Sequence, residues 1–190
     1  MRSPSRGRPP ASSREVLADA ALDLFLEFGY EATSINEITR RVGVSRASFF
    51  NYFTSKPETL WFVLDARIAA FEAALEDRDI AFNEALAAVA KGDKPDTLAL
   101  AIVDARTMGA EEELARGRAD RQLRVAQAIA ARLERDGERE LEAAVAGGGY
   151  AAALFAAVWS WASRGAGRHS LNNEIGAALN EAKGILGGRR

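Results

Sequence analysis

Three helix-forming patterns crowd into the stretch from Ser12 to Leu60, joined by links too short to let them lie apart. The centre of the stretch reads Thr33-Ser34-Ile35-Asn36-Glu37-Ile38-Thr39-Arg40-Arg41-Val42-Gly43-Val44-Ser45-Arg46-Ala47-Ser48-Phe49-Phe50-Asn51-Tyr52-Phe53. A short helix, a tight turn carrying Gly43 and a second short helix make a helix-turn-helix, a unit that presents its second helix to a DNA major groove. The helix starts are punctuated. Ser12 with Glu15, Ser34 with Glu37 and Ser55 with Glu58 each have the capping-box spacing, in which a hydroxyl and a carboxylate satisfy free backbone N–H groups. One such match is common by chance, whereas three at successive helix starts are not.

The charge distribution agrees with this reading although the total does not advertise it. The net charge is -2, yet residues 1–56 hold eight Lys/Arg against six Asp/Glu, or +2, so the remainder carries -2 - (+2) = -4. The first fourteen residues contain Arg2, Arg6, Arg8 and Arg14 and no acid. A basic front on an acidic rear suits a small nucleic-acid-reading head on a body with another task. Residues 1–11 are expected to be a disordered basic arm that follows phosphates or the minor groove. Absence of cysteine removes disulfides and thiolate metal sites, and it is compatible with a cytoplasmic setting. Residues 1–14 lack the apolar segment of a secretory signal.

Helical periodicity continues to the end, with no β alternation, so the expectation is an all-α chain of about nine helices. These fall at 13–28, 35–42, 45–52, 56–76, 79–90, 95–108, 119–135, 138–163 and 171–186, with breaks expected at Gly109 and Gly117, among others. Residues 12–55 form the helix-turn-helix domain and 56–190 a helical body. In the first helix, Val16, Leu17, Ala20, Leu24, Phe25 and Phe28 share the inner face. Residues 143–163 carry no charge, but Ala and Gly dominate. That composition favours a helix covered by protein on nearly all sides over a membrane span. Gly147, Gly148 and Gly149 within it either break the helix, kink it or admit a close neighbour.

Within the head, Gly43 sits where the turn favours positive φ. Val44 and Phe49 can plug the small core, and Ser45 can cap the third helix. Arg46 is the best base reader, because its guanidinium matches the major-groove acceptors of guanine. Ala47 and Ser48 are small enough for a close approach. Asn51 and Tyr52 can reach bases or phosphates, as can Thr33, Ser34 and Lys56 at helix starts.

Residues 21–34, Gly43-Val44-Ser45, Phe49-Phe50-Asn51-Tyr52-Phe53 and Ser55-Lys56 resemble the N-terminal domain of TetR-family transcriptional regulators, and the resemblance covers about residues 14–60. It implies a homodimeric repressor of a DNA operator, joined through the last two long helices, with a small-molecule effector in the C-terminal domain. It also implies phosphate contacts at Thr33 or Ser34, Tyr52 and Lys56, and recognition contacts at Arg46, Ala47 and Asn51. Two-fold symmetry then sets half-sites about 34–36 Å apart. The family often has Tyr where this chain has Phe50, and Phe50 lacks the hydroxyl for a phosphate contact. Thr39 stands in place of a usual Ala and is expected to face outward.

For the effector, Trp61, Phe62, Phe82, Leu86 and Ile102, with Phe155 and Trp159, are candidates for an apolar lining. Arg106, Gln127 and Tyr150 are candidates to orient the ligand. Residues 55–61 resemble members that sense acyl thioesters or similar lipophilic molecules. No cofactor or metal site is expected. His169 is the only histidine, and HExxH, Walker-A and dinucleotide motifs are all missing from the sequence, so an enzyme is not expected. The remaining alternative is a ligand-independent architectural DNA binder, which would not distinguish an operator from random duplex.

Overall fold

Ten helices follow one another in the computed structural model, which describes residues 14–187 except Gly92. They are α1 (Arg14–Phe28), α2 (Ile35–Val42), α3 (Arg46–Phe50), α4 (Glu58–Glu76), α5 (Phe82–Ala88), α6 (Asp96–Val103), α7 (Ala105–Met108), α8 (Glu111–Arg135), α9 (Glu140–Ser163) and α10 (Leu171–Gly187). No strand occurs among the described residues. The expected all-α class holds, with ten helices rather than nine. The segment 95–108 divides at Asp104. Helix α8 begins eight residues before the expected start, because Gly117 lies inside it. The basic arm and the Ser12 cap lie outside the described residues.

Gly117 is needed for packing rather than for a break. A Cβ there would stand 2.7 Å from the Trp61 indole, so glycine lets α4 press its largest side chain against α8. The same logic resolves the glycine triplet. Helix α9 runs through it unbroken; Gly147 meets the backbone of Ala126 on α8, Gly149 faces Leu186 on α10, and Gly148 has open space. Small residues therefore seat α9 between α8 and α10, both of which pack along it.

The head is a three-helix unit of α1–α3 closed by the start of α4. Leu17, Phe25, Ile38, Phe49 and Phe53 are fully buried in it or nearly so, and at roughly 1.5–3 kcal/mol each such side chains supply most of its cohesion. The α1 face is narrower than periodicity suggests, since Val16 is 42% and Phe28 63% exposed. Both lie at the ends of α1, where no neighbouring helix covers them fully.

Helix α4 joins head to body and is fastened along α8. Arg121 forms a two-pronged ion pair with Asp65 at 2.6 and 2.7 Å, and Arg124 pairs with Glu72. At the far end Arg132, 6% exposed, donates to the carbonyls of Leu75, Asp77 and Ile80, and Arg135 also donates to Leu75. These guanidiniums satisfy free carbonyls at the α4 C-terminus and complement its dipole.

Gly147→Ala should lower unfolding stability by about 1–3 kcal/mol, since overpacking against backbone outweighs the gain in helix propensity. Gly184→Ala on exposed α10, with no neighbour within 4 Å, should raise it by about 0.5–1 kcal/mol. Thermal and urea unfolding of the two variants measures both.

Candidate DNA-binding interface

The start of α2 has the full reciprocal cap. Glu37 N–H donates to Ser34 Oγ at 3.3 Å, and the Glu37 carboxylate accepts from the Ser34 N–H at 2.7 Å. The Ser34 N–H, and with it the Ser34 hydroxyl at 2.8 Å, donate to the Glu37 carboxylate and hold it below the usual carboxylate range. The helix ends at Gly43, whose φ of 79° is the left-handed geometry expected of it, and whose N–H bonds Thr39 and Arg40 carbonyls. Ser45 then caps α3 by accepting from Ser48 N–H at 3.1 Å. Gly43 and the Ser45 cap thus set the two ends of the turn, and the Ser34 cap fixes the start of α2.

The α4 start departs from the expected box. Pro57 is its N-cap, with no side-chain cap. Glu58 instead accepts from the Thr54 N–H at 2.6 Å and hydroxyl at 2.9 Å, while Arg14 Nη2 reaches its other oxygen at 3.1 Å. Arg14 also donates twice to the Tyr52 carbonyl, at 2.8 and 3.1 Å, and lies over the Phe53 and Phe62 rings. One side chain, grouped by sequence with the basic arm, joins α1, α3 and α4. Nothing in local periodicity marks it, because its partners are 38 and 44 residues away.

Two expected phosphate ligands are spent inward. Thr33 is 2% exposed and its hydroxyl donates to the Gly29 and Leu24 carbonyls, so its side chain does not face a duplex. Lys56 is half-buried; its Nζ donates to the Tyr30 carbonyl at 2.7 Å and the Thr33 carbonyl at 3.1 Å, and sits 4.1 Å from the Tyr30 ring centre. Burial pulls the Lys56 ammonium below its ordinary range. Tyr30 N–H donates to the Met108 carbonyl at 2.7 Å, tying the same loop to α7 of the body. Thr39 faces inward, not outward, at 4% exposure, and its hydroxyl is satisfied by the Asn36 carbonyl.

Facing outward are Ser34, Ser45, Arg46, Ala47, Phe50 and Asn51, all exposed, with Ser48 and Tyr52 half-buried. From Ile38 to Pro57 there is no acidic residue, against Arg40, Arg41, Arg46 and Lys56. Arg41 is engaged by Glu27 at 2.7 and 2.9 Å, which leaves Arg40 and Arg46 as the positive charges of the outer face. A shallow ridge with two arginines, an amide and small side chains suits the width of a major groove.

The family model for bacterial regulatory proteins of the tetR family matches residues 17–58, the head just described. Residues 17–58 carry the N-terminal domain of that family. The chain is 29% identical over 125 residues to the HTH-type transcriptional repressor Rv1474c of Mycobacterium tuberculosis, covering 66% of each chain. Two further curated relatives are covered over only 33% and 34% of their length. Among solved structures, a TetR-family transcriptional regulator from Syntrophomonas wolfei aligns with TM-score 0.57 and 17% identity, over 93% of this chain and 96% of its own. The Thermus thermophilus TetR-family repressor FadR, solved with lauroyl-CoA, aligns with TM-score 0.50 and 23% identity over 90% and 93%. Both likenesses concern the fold.

The residues expected to line one effector pocket are dispersed. Trp61 is fully buried against Gly117, with Arg121 4.2 Å above its ring. Trp159 links it to Phe155, at ring distances of 6.2 and 6.4 Å. Phe62 borders an open cleft of about 610 Å³ between α1, α4 and the α5–α6 connection. Phe82 packs on Tyr150, which with Leu86 lines a groove of about 350 Å³ beside α10. Ile102 is half-buried on α6, whereas Arg106 and Gln127 are exposed, Arg106 beside Phe28 and Tyr30. Helical period places residues on faces, and several faces share no cavity. The residue missed by sequence is Arg67 of α4, 4% exposed, which donates to the Asp93 carbonyl at 2.6 Å. It borders both the open cleft and a void of only about 20 Å³ walled by Leu64, Ile68, Val125, Phe155 and other apolar side chains.

Because the folded Glu37 value is depressed, the cap's contribution is complete above about pH 4.5 and is lost as pH falls through the folded value. The protection factor of the Ser34 amide, its exchange rate corrected for the intrinsic rate at each pH, should therefore fall in acid in the native chain and already be low at neutral pH in Glu37→Ala.

Proposed function

We propose that this chain is a cytoplasmic, homodimeric transcriptional repressor that binds a DNA operator through α2 and α3 and releases it when a lipophilic anion enters the body. The observation that carries the reading is the acid-free run from Ile38 to Pro57, whose outward side chains are mounted on a fully packed core. In it Arg46 takes a guanine edge, with Ala47 and Asn51 against neighbouring bases. Ser34, Ser45, Ser48 and Tyr52 approach the sugar-phosphate backbone. Thr33 and Lys56 act one step back, holding the loop that aims Ser34.

The second copy docks on α9. Among the described residues, α9 is the one helix long and apolar enough to cross a membrane by length and composition, yet it is packed by α6, α8 and α10. Its outward stripe, Leu141, Val145, Gly148, Ala152 and Ala156, carries no charge, and Leu141 and Val145 are 75% and 58% exposed. Small residues in mid-stripe let two symmetry-related α9 helices cross closely, and α10 flanks the seam. An isologous contact of this kind brings two heads to one face of a duplex.

The effector site centres on Arg67. A carboxylate, or a phosphate of an acyl thioester of coenzyme A, can replace the backbone carbonyls on this guanidinium with stronger charge-assisted bonds, while an alkyl tail parts the apolar walls of the adjoining void. The similarly folded Thermus protein solved with lauroyl-CoA supports a ligand of this class. Arg67 stands on α4, whose first turn is bonded to the head, so a ligand that favours a displaced α4 shifts the population away from the DNA-bound spacing.

Three measurements test these parts. Arg46→Ala should weaken binding to a library-selected operator by about 1–3 kcal/mol at fixed salt, with equal affinity for operator and random duplex in the parent chain refuting the reading. Val145→Glu with Ala152→Glu should give a folded monomer by light scattering and circular dichroism, with operator affinity lost. Dodecanoate or lauroyl-CoA should release the operator from the parent chain and leave Arg67→Met bound; release from both would place the effector elsewhere.

A further inference from the structure

The outer edge of α3 is chemically uneven. Phe49 is fully buried, but its neighbour Phe50 is 45% exposed, standing edge-on to the Phe49 ring at 5.5 Å. Phe50 shares a ridge with Arg46 one turn earlier, and the Arg46 guanidinium lies 5.3 Å from its ring centre. From the other side, Arg46 Nη1 donates to Asn36 Oδ1 of α2 at 3.0 Å. The arginine is thus braced between an aromatic ring and an amide before anything binds, which reduces the rotamer freedom it must lose on binding. Ala47, the next exposed residue, adds a methyl group to the same edge.

An exposed phenyl ring on a helix that faces DNA needs a partner it can dehydrate, and it has no donor or acceptor for a phosphate. Base edges in the major groove carry donors and acceptors at every position except one. The C5 methyl of thymine is the single apolar group there. We propose that Phe50, flanked by Ala47, is a specificity-determining residue that packs on a thymine methyl beside the guanine bound by Arg46. Each half-site then contains adjacent guanine and thymine, and Asn36 is the positioning residue that fixes the angle of Arg46. This rests on α3 being the recognition helix and names what that helix recognises.

The test uses the full chain and duplexes selected from a randomised library at one salt concentration. Each thymine of the preferred half-site is replaced singly by deoxyuridine, which deletes one methyl and leaves every hydrogen-bonding group. One replacement, next to the essential guanine, should weaken binding about fourfold per half-site, the effect of uncovering one methyl group. In Phe50→Ala the same replacement should have no effect, and Phe50→Leu should retain part of it, since leucine still covers a methyl. Asn36→Ala should relax the guanine preference while leaving the uracil penalty in place. A preferred site with no thymine beside the guanine, a neutral replacement in the parent chain, or an undiminished penalty in Phe50→Ala would overturn the proposal. Those results leave sequence-specific binding intact; failure to select any preferred duplex overturns it together with the operator reading.

Discussion

Helix α4 belongs to two cores at once, and the seam between it and α8 is what makes a single molecule of head and body. At its start, Phe62 and Glu58 are bonded into the head through Phe53 and Arg14. Along its length Trp61 lies on Gly117, and Asp65 and Glu72 are paired with Arg121 and Arg124. At its end Arg132 and Arg135 cap its carbonyls. Isolated surface pairs contribute little, but two-pronged arginine contacts in a row restrict the angle of α4 as well as its position. Any movement of the head relative to the body must rotate α4 together with α8 or break that row.

The head shows a division between side chains that hold and side chains that face out. Lys56, Thr33 and Arg14 have the chemistry of DNA ligands, yet each is committed to backbone carbonyls inside the protein. Their commitment is what leaves Ser34, Arg46 and Asn51 at defined positions on a small scaffold. A five-residue α3 cannot hold itself in water, since helices this short are far below the length at which isolated segments are stable. Burial of Phe49 and Phe53, the Ser45 cap and the Arg14 bonds to the following turn do it instead.

The body presents the opposite problem. Its interior is filled, with a void too small for a ligand beside Arg67 and an open cleft outside it. The Arg67 guanidinium is buried and donates to the Asp93 carbonyl at 2.6 Å, so taking its charge out of water is costly. Burial also pulls the Arg67 guanidinium down from its ordinary range, and the nearby Asp93 partly opposes that. The proposed effector site lies in this neighbourhood, between α4 and the α5–α6 connection. The glycine triplet of α9 belongs to the same economy of space: glycines at 147 and 149 bring α8 and α10 close, and the one between them leaves the outer surface flat.

Sequence alone determined the elements whose cause is local: the all-helical class, the caps at Ser34 and Ser45, the left-handed turn at Gly43, and the inward set Ile38, Phe49 and Phe53. Each follows from hydrogen bonds or periodicity spanning a few residues. It also marked Arg46, Ala47 and Asn51 as outward, since a short amphipathic helix has only one other side. Tertiary structure decided whatever depends on residues distant in the chain. It turned Thr33, Thr39 and Lys56 inward, made Gly117 a seat for Trp61 rather than a helix break, and scattered the expected pocket residues over separate surfaces. It brought forward Arg14 and Arg67, whose partners lie tens of residues away. The physical reason is that a helix face states only that a side chain is covered, while the identity of the cover is set by how whole helices cross.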